Sequence, residues 1–170
     1  MPKIQKNIVL IGMMGSGKSM IAKALADRLK ITLYSTDVLI EKQAKNKIRD
    51  IVAKKGWEYF RRVEHAIVKR VAAKRGVVID CGGGVVVNPE NLKLLKKNGI
   101  IVFLKASPAV IYQRIKNDPN RPLVHEASNP LGVIKMLYQQ RLPLYNKADI
   151  IVNASRASID GPVARILKAI

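Results

Sequence analysis

Gly12, Gly17, Lys18 and Ser19 stand in the spacing G-x-x-x-x-G-K-S within "IGMMGSGKSM", residues 11 to 20. Backbone N–H groups approach phosphate oxygens most closely where no Cβ intervenes, which is the use of glycine here. Gly15, Ser16 and Met20 complete the stretch expected to touch the nucleotide. Lys18 is placed to neutralise β and γ oxygens, the Ser19 hydroxyl to ligate Mg²⁺, and the following helix N-terminus to add partial positive charge. The chemistry implied is that of a nucleoside triphosphate.

Other reactive types lie further along the chain. "YSTDVLIE" puts the carboxylate of Asp37 just after an apolar run, "GWEYFRRVEHAIV" carries Arg61, "CGGGVV" holds Gly82, Gly83 and Gly84, and "NRPL" and "QQRLPLY" hold Arg121 and Arg141. Asp37 is also placed to be the N-cap of a helix over "VLIEKQAK". His65 and His125 have no metal-ligand spacing to each other or to Cys81, so neither is assigned a metal; His125 is expected in solvent.

These residues need a frame. The runs 7 to 11, 31 to 35, 76 to 80, 100 to 104 and 149 to 153 are apolar on both faces, as buried parallel strands are. Between them "KSMIAKALADRL" sets Ile21, Leu25 and Leu29 on one stripe, and Asn88 followed by Pro89 opens another helix. Strand and helix in alternation predict a doubly wound α/β sheet with helices on both faces. Asp37 then lies at the carboxyl end of the second strand, where ligands of such sheets collect. Residues 117 to 130, "NDPNRPLVHEASNP", carry three prolines and few core positions, and read as a mobile excursion.

The 170 residues, 48% hydrophobic, suffice for one domain with a real core and not for two. Lys and Arg total 31 against 12 acids, a formal charge of +19, which suits an anionic ligand or nucleic acid. One cysteine, Cys81, excludes an internal disulfide and points to a reducing compartment. No stretch is long and apolar enough to span a bilayer. A cytoplasmic protein is expected.

In order along nearly the whole chain, these segments resemble shikimate kinase, in the nucleoside monophosphate kinase-like branch of P-loop proteins. The resemblance implies a three-layer α/β/α fold, strand order 2-3-1-4-5, with a mobile lid at about 117–130 and an acceptor-binding helical region at about 36–65. It implies transfer of the ATP γ-phosphoryl group to the 3-hydroxyl of shikimate, with Mg²⁺, by a monomer with no specific nucleic-acid partner. By matching motifs, Asp37 would hydrogen-bond the acceptor hydroxyls and assist removal of the reacting proton. Arg61 and Arg141 would grip its carboxylate, and Gly82 to Gly84 would lie against its ring. Arg121 would offset charge on the transferring group, with Lys18 and Asp37 the other catalytic residues. Arg114 would stack on adenine, and Arg156 would flank it.

The chain departs from the family pattern at three places. Ser35 stands where the family has an acid that helps hold Mg²⁺, and Asp80 stands where it has Ser or Thr. Asp80, at the end of the third strand and beside the first, is therefore expected to join Ser19 in the magnesium site, since this ion needs a carboxylate near its waters; alternatively Asp80 caps a turn. Trp57 replaces a usual Glu and either shapes the acceptor pocket or packs against its helix, of which packing is expected.

Three rival readings follow. A kinase for gluconate or a nucleoside monophosphate shares the fold, but Arg61 and Arg141 with Asp37 suit a carboxylate-bearing polyol. A nucleic-acid-binding ATPase would account for the +19 charge, yet aromatics are only 5% and do not interleave with the basic residues. Loss of the acid at Ser35 would suit an inactive sensor, against which Lys18, Asp37 and Arg121 are all present.

Overall fold

Every residue of Asn7–Ile11 is buried, as a strand covered on both faces requires. This strand, β1, is the centre of a five-stranded parallel sheet in a computed structural model that describes residues 5–121, 124, 126–156 and 158–170. The other strands are β2 (Leu33–Ser35), β3 (Val78–Asp80), β4 (Gly99–Lys105) and β5 (Ile150–Asn153), in the order β2-β3-β1-β4-β5. The described helices are α1 (Lys18–Leu29), α2 (Thr36–Ala44), α3 (Ile48–Ala72), α4 (Pro89–Asn98), α5 (Pro108–Ile115), α6 (Pro130–Tyr145) and α7 (Asp160–Ala169).

Alternation along the strands divides the core in two. Ile8, Leu10, Val78, Val102 and Leu104 point to one face and pack with Ile21 and Leu25 of α1 and with Val163 and Ile166 of α7. Val9, Ile11, Ile79, Ile101 and Phe103 point to the other, against Ile67 and Val71 of α3, Leu95 of α4, Ile111 of α5 and Ile134 of α6. The three-layer α/β/α architecture is the one expected.

Strand starts differ from expectation for local reasons. Lys30 takes a left-handed conformation and Ile31 N–H bonds back to Ala26, so the chain is still closing α1 and β2 begins at Leu33 rather than 31. Val77 N–H is taken by the Asn7 side chain, and β3 begins at Val78 rather than 76. At α4 the expected cap is present: Asn88 Oδ1 accepts from Glu90 N–H at 3.0 Å, with Pro89 in the first turn. Helix α3 breaks at Gly56, whose φ of 79° and ψ of 169° are not helical. The break gives Arg61 a place just inside a new helical segment. The lid expected at 117–130 falls partly outside the described residues, which omit 122, 123 and 125, so His125 is not placed.

Candidate active site

The loop between β1 and α1 folds over its own carbonyls. Lys18, buried at the start of α1, donates from Nζ to the carbonyls of Gly12 at 2.9 Å and Met13 at 2.8 Å, leaving its third donor for an anion. Burial pushes its pKa below the ordinary lysine value, against the pull of Asp80 and Asp37. At Gly12, φ is +149° and a Cβ would stand 2.7 Å from the Leu104 carbonyl oxygen, so no other residue fits without moving backbone. The Ser16 hydroxyl is buried with no hydrogen-bond partner among the described residues. A buried unpaired hydroxyl beside the N-terminus of α1 suits an anion.

Next to this loop is the carboxyl end of β3. Asp80 pairs in register with Leu10 of β1, and its Oδ2 accepts the Ser19 hydroxyl proton at 2.7 Å. Asp80 is 6% exposed. Burial raises its pKa, while Lys18 and the Ser19 hydrogen bond work in the opposite direction. The alternative, that Asp80 only caps a turn, is not what the side chain does. Cys81 is buried and its thiol is held well above its ordinary pKa, chiefly by desolvation. It is an inert packing group.

The glycine run that follows makes room for two charged side chains. A Cβ on Gly82 would lie 2.5 Å from Asp37 Oδ1, and one on Gly84 would collide with the Arg61 guanidinium. Gly82 N–H donates to the buried Thr36 hydroxyl at 2.9 Å, joining the run to the start of α2. Asp37 is in the first turn of that helix, and the N-cap position is Ser35. The expected capping role for Asp37 is thus corrected, since a residue already inside the helix points its carboxylate elsewhere. Burial raises the Asp37 pKa, with Lys18 opposing.

Arg61 is held from below by Glu64 at 2.7 Å, one helical turn on. Glu64 is fully buried, its second oxygen has no partner among the described residues, and desolvation raises its pKa against the Arg61 charge. Trp57 packs edge-on against Phe60, with ring centres 5.6 Å apart at 88°, and its ring lies 5.4 Å from the Arg61 guanidinium. It packs as expected, yet it also lines the cavity. Arg141 of α6 is buried on the same wall. One turn later Tyr145 donates its hydroxyl to the Gly83 carbonyl and stacks on Phe103 with ring centres 4.9 Å apart. Burial lifts the Tyr145 pKa to about 12.

A cavity of about 520 Å³ joins these parts. It is lined by Gly15, Gly17, Lys18, Ser19 and Met20 from the loop, by Asp37, Arg61, Asp80, Gly82, Gly83, Gly84 and Arg141, and by Arg121 at its rim. Arg121 Nε donates to Asp118 at 3.2 Å. Gly12, Ser16, Arg114 and Arg156 do not line it. Arg114 instead ties the loop to the end of β5, donating to the carbonyls of Gly15 at 3.2 Å and Ala154 at 2.9 Å, and to those of Ser155 and Arg156. Arg156 is exposed and contributes that carbonyl.

Thr36, Glu64 and Tyr145 were not singled out from the sequence. Their signals are spacing alone: Glu64 is three residues from Arg61, and Tyr145 four from Arg141, each on the same helix face. His65, expected to hold no metal, bonds Asn91 at 2.8 Å.

The family profile of shikimate kinase matches residues 14–170. The chain belongs to the shikimate kinase family. A shikimate kinase of Thermodesulfovibrio yellowstonii is 42% identical over 163 residues, 96% of this chain and 94% of that one. A shikimate kinase structure from Acinetobacter baumannii, in complex with shikimate, superposes with a TM-score of 0.94 at 29% identity, covering 98% of this chain and 93% of that one. One from Aquifex aeolicus gives 0.84 at 37%, covering 96% and 95%. Membership makes this chain a transferase of the kinase class with ATP as co-substrate, and sets the gluconate-type and nucleic-acid readings aside.

Proposed function

We propose that this shikimate kinase family member transfers the γ-phosphoryl group of MgATP to the 3-hydroxyl of shikimate, giving shikimate 3-phosphate and ADP on the route to chorismate and the aromatic amino acids. The observation that carries the reading is that one cavity is lined both by the loop residues Lys18 and Ser19 and by Asp37, Arg61 and Arg141. A phosphoryl donor and a carboxylate-bearing polyol can thus share it. The shikimate bound to the Acinetobacter baumannii relative supports the acceptor.

The residues divide the work. Arg61 and Arg141 pair with the shikimate carboxylate, for which planar guanidinium groups fit better than ammonium. That fixes the 3-hydroxyl toward Asp37, whose carboxylate accepts its proton as the oxygen attacks the γ-phosphorus and the bond to the β–γ bridging oxygen breaks. Gly12, Gly15, Ser16, Gly17 and Met20 hold the phosphates by backbone and hydroxyl donors, and Lys18 and Arg121 offset charge on the transferring group. Arg114 of α5 stacks on the adenine, with Arg156, on the loop after β5, beside it. Arg121, with Asp118 and Asn120 beside it on the cavity wall, helps exclude water from the transferring group.

Ser19 would hold Mg²⁺ directly and Asp80 from behind it, and the ion when bound neutralises the nucleotide phosphates. The donor set fits: the Ser19 hydroxyl and the Asp80 carboxylate lie together at the end of the loop, hard oxygen donors of the kind this ion takes while keeping several waters. The unit proposed is a monomer.

The test is ADP release with MgATP and shikimate, quinate, gluconate, AMP or no acceptor. ADP formed with shikimate alone supports the reading; ADP release indifferent to the acceptor contradicts it.

A further inference from the structure

The sheet register places Ser35 of β2 directly beside Asp80 of β3. Two residues earlier the paired Leu33 and Val78 both pack on the α1 face of the sheet, with Val78 in that core and Leu33 against it. Strand alternation therefore turns Ser35 and Asp80 to the same face, under the N-terminus of α1 where Ser19 sits. Neighbouring strands lie about 4.8 Å apart, so a carboxylate on either residue starts within one side-chain length of the Ser19 hydroxyl. Ser35 lines the cavity, and its side chain makes no capping hydrogen bond to α2.

Hydrogen bonding adds a direction. A serine hydroxyl has one proton and two lone pairs. In donating to Asp80 at 2.7 Å, Ser19 turns its lone pairs away from that carboxylate. A cation on the loop side then meets an oxygen already oriented, with the Asp80 charge behind it.

We propose that Asp80 orients Ser19 for the nucleotide-bound cation through this hydrogen bond, and that position 35, beside it in the register, is an equivalent seat for the same carboxylate. The inference rests on the nucleotide reading above. It makes Asp80 a positioning residue whose place in the sequence can be exchanged with that of its neighbour across the sheet.

The test reads ADP binding by titration calorimetry with and without Mg²⁺, in the wild-type chain, in Asp80→Asn and in the exchanged chain Ser35→Asp/Asp80→Ser. Mg²⁺ should tighten ADP binding in the wild type. Asp80→Asn should lose about 10–100-fold of Mg²⁺ affinity, the range for removing an outer partner of a metal ligand, while still binding ADP without the metal. The exchanged chain should recover most of the loss. Asp80→Asn with a full Mg²⁺ effect, or a folded exchanged chain without one, overturns the proposal while the nucleotide reading stands. Failure of the wild type to bind ADP overturns both. Metal-free ADP affinity reports folding in each variant; should Asp80→Asn not fold, the exchanged chain alone decides.

Discussion

The two carboxylates and one lysine at the centre of the site are held against their own solvation. Desolvation raises Asp37 and Asp80 and lowers Lys18; Lys18 opposes the shift of both carboxylates and they oppose its own, while the Asp80 charge adds to the shift of Asp37. For Asp37 the sign gives two linked expectations. Its folded pKa is above the ordinary 3.8, and a protonated carboxyl cannot accept the acceptor's proton. The kcat/KM for the acceptor should therefore fall, as pH decreases, through an acid limb above 3.8. The folded chain also holds this proton more tightly than the unfolded chain does, so ionisation of Asp37 costs stability as pH rises through the same window. Asp37→Asn should lose about 10²–10⁴ in turnover, and without ligand it should melt at a higher temperature at neutral pH. An acid limb at or below 3.8, or a lower melting temperature for the Asn variant, contradicts the assignment.

At the scale of elements, the site is a set of joints between strand ends. The loop after β1 depends on Gly12, where a side chain meets the fixed Leu104 carbonyl of β4 rather than a movable group. Gly12→Ala is expected to cost about 1–3 kcal/mol in strain and to lower the melting temperature by several degrees; differential scanning calorimetry checks it, and an unchanged transition contradicts the close approach. How much of this was legible depends on what carries each feature. Local pattern carries the loop, α1 and the strands, since a buried parallel strand and an amphipathic helix differ in period, and it placed all five strands. It carries boundaries poorly, because Ile31 and Val77 spend their N–H groups on a helix end and on Asn7. It does not carry Thr36, Glu64 or Tyr145, whose partners matter only once the glycine run, α2, α3 and α6 converge. The break at Gly56 was hidden likewise, since a lone glycine in a helical pattern is compatible with a helix that continues.

Across the whole molecule, 31 basic residues stand against 12 acidic ones. The site itself uses a handful of them: Lys18, Arg61, Arg121 and Arg141 line the cavity, and Arg114 braces the loop. Much of the remainder is surface charge, and several such groups form exposed pairs such as Lys23 with Asp27 and Arg62 with Glu58. Pairs of this kind contribute little to stability. No helix of the described residues is long and apolar enough to cross a membrane. The central claim is that the fold brings donor and acceptor into one cavity and delivers the phosphoryl group to a single hydroxyl. The most direct test is to identify the product of MgATP and shikimate by phosphorus–proton correlation NMR while counting ADP. The account predicts one ADP per phosphorylated shikimate, with the phosphate on the oxygen at carbon 3. Phosphate on another hydroxyl, or ADP without phosphorylated shikimate, would contradict it.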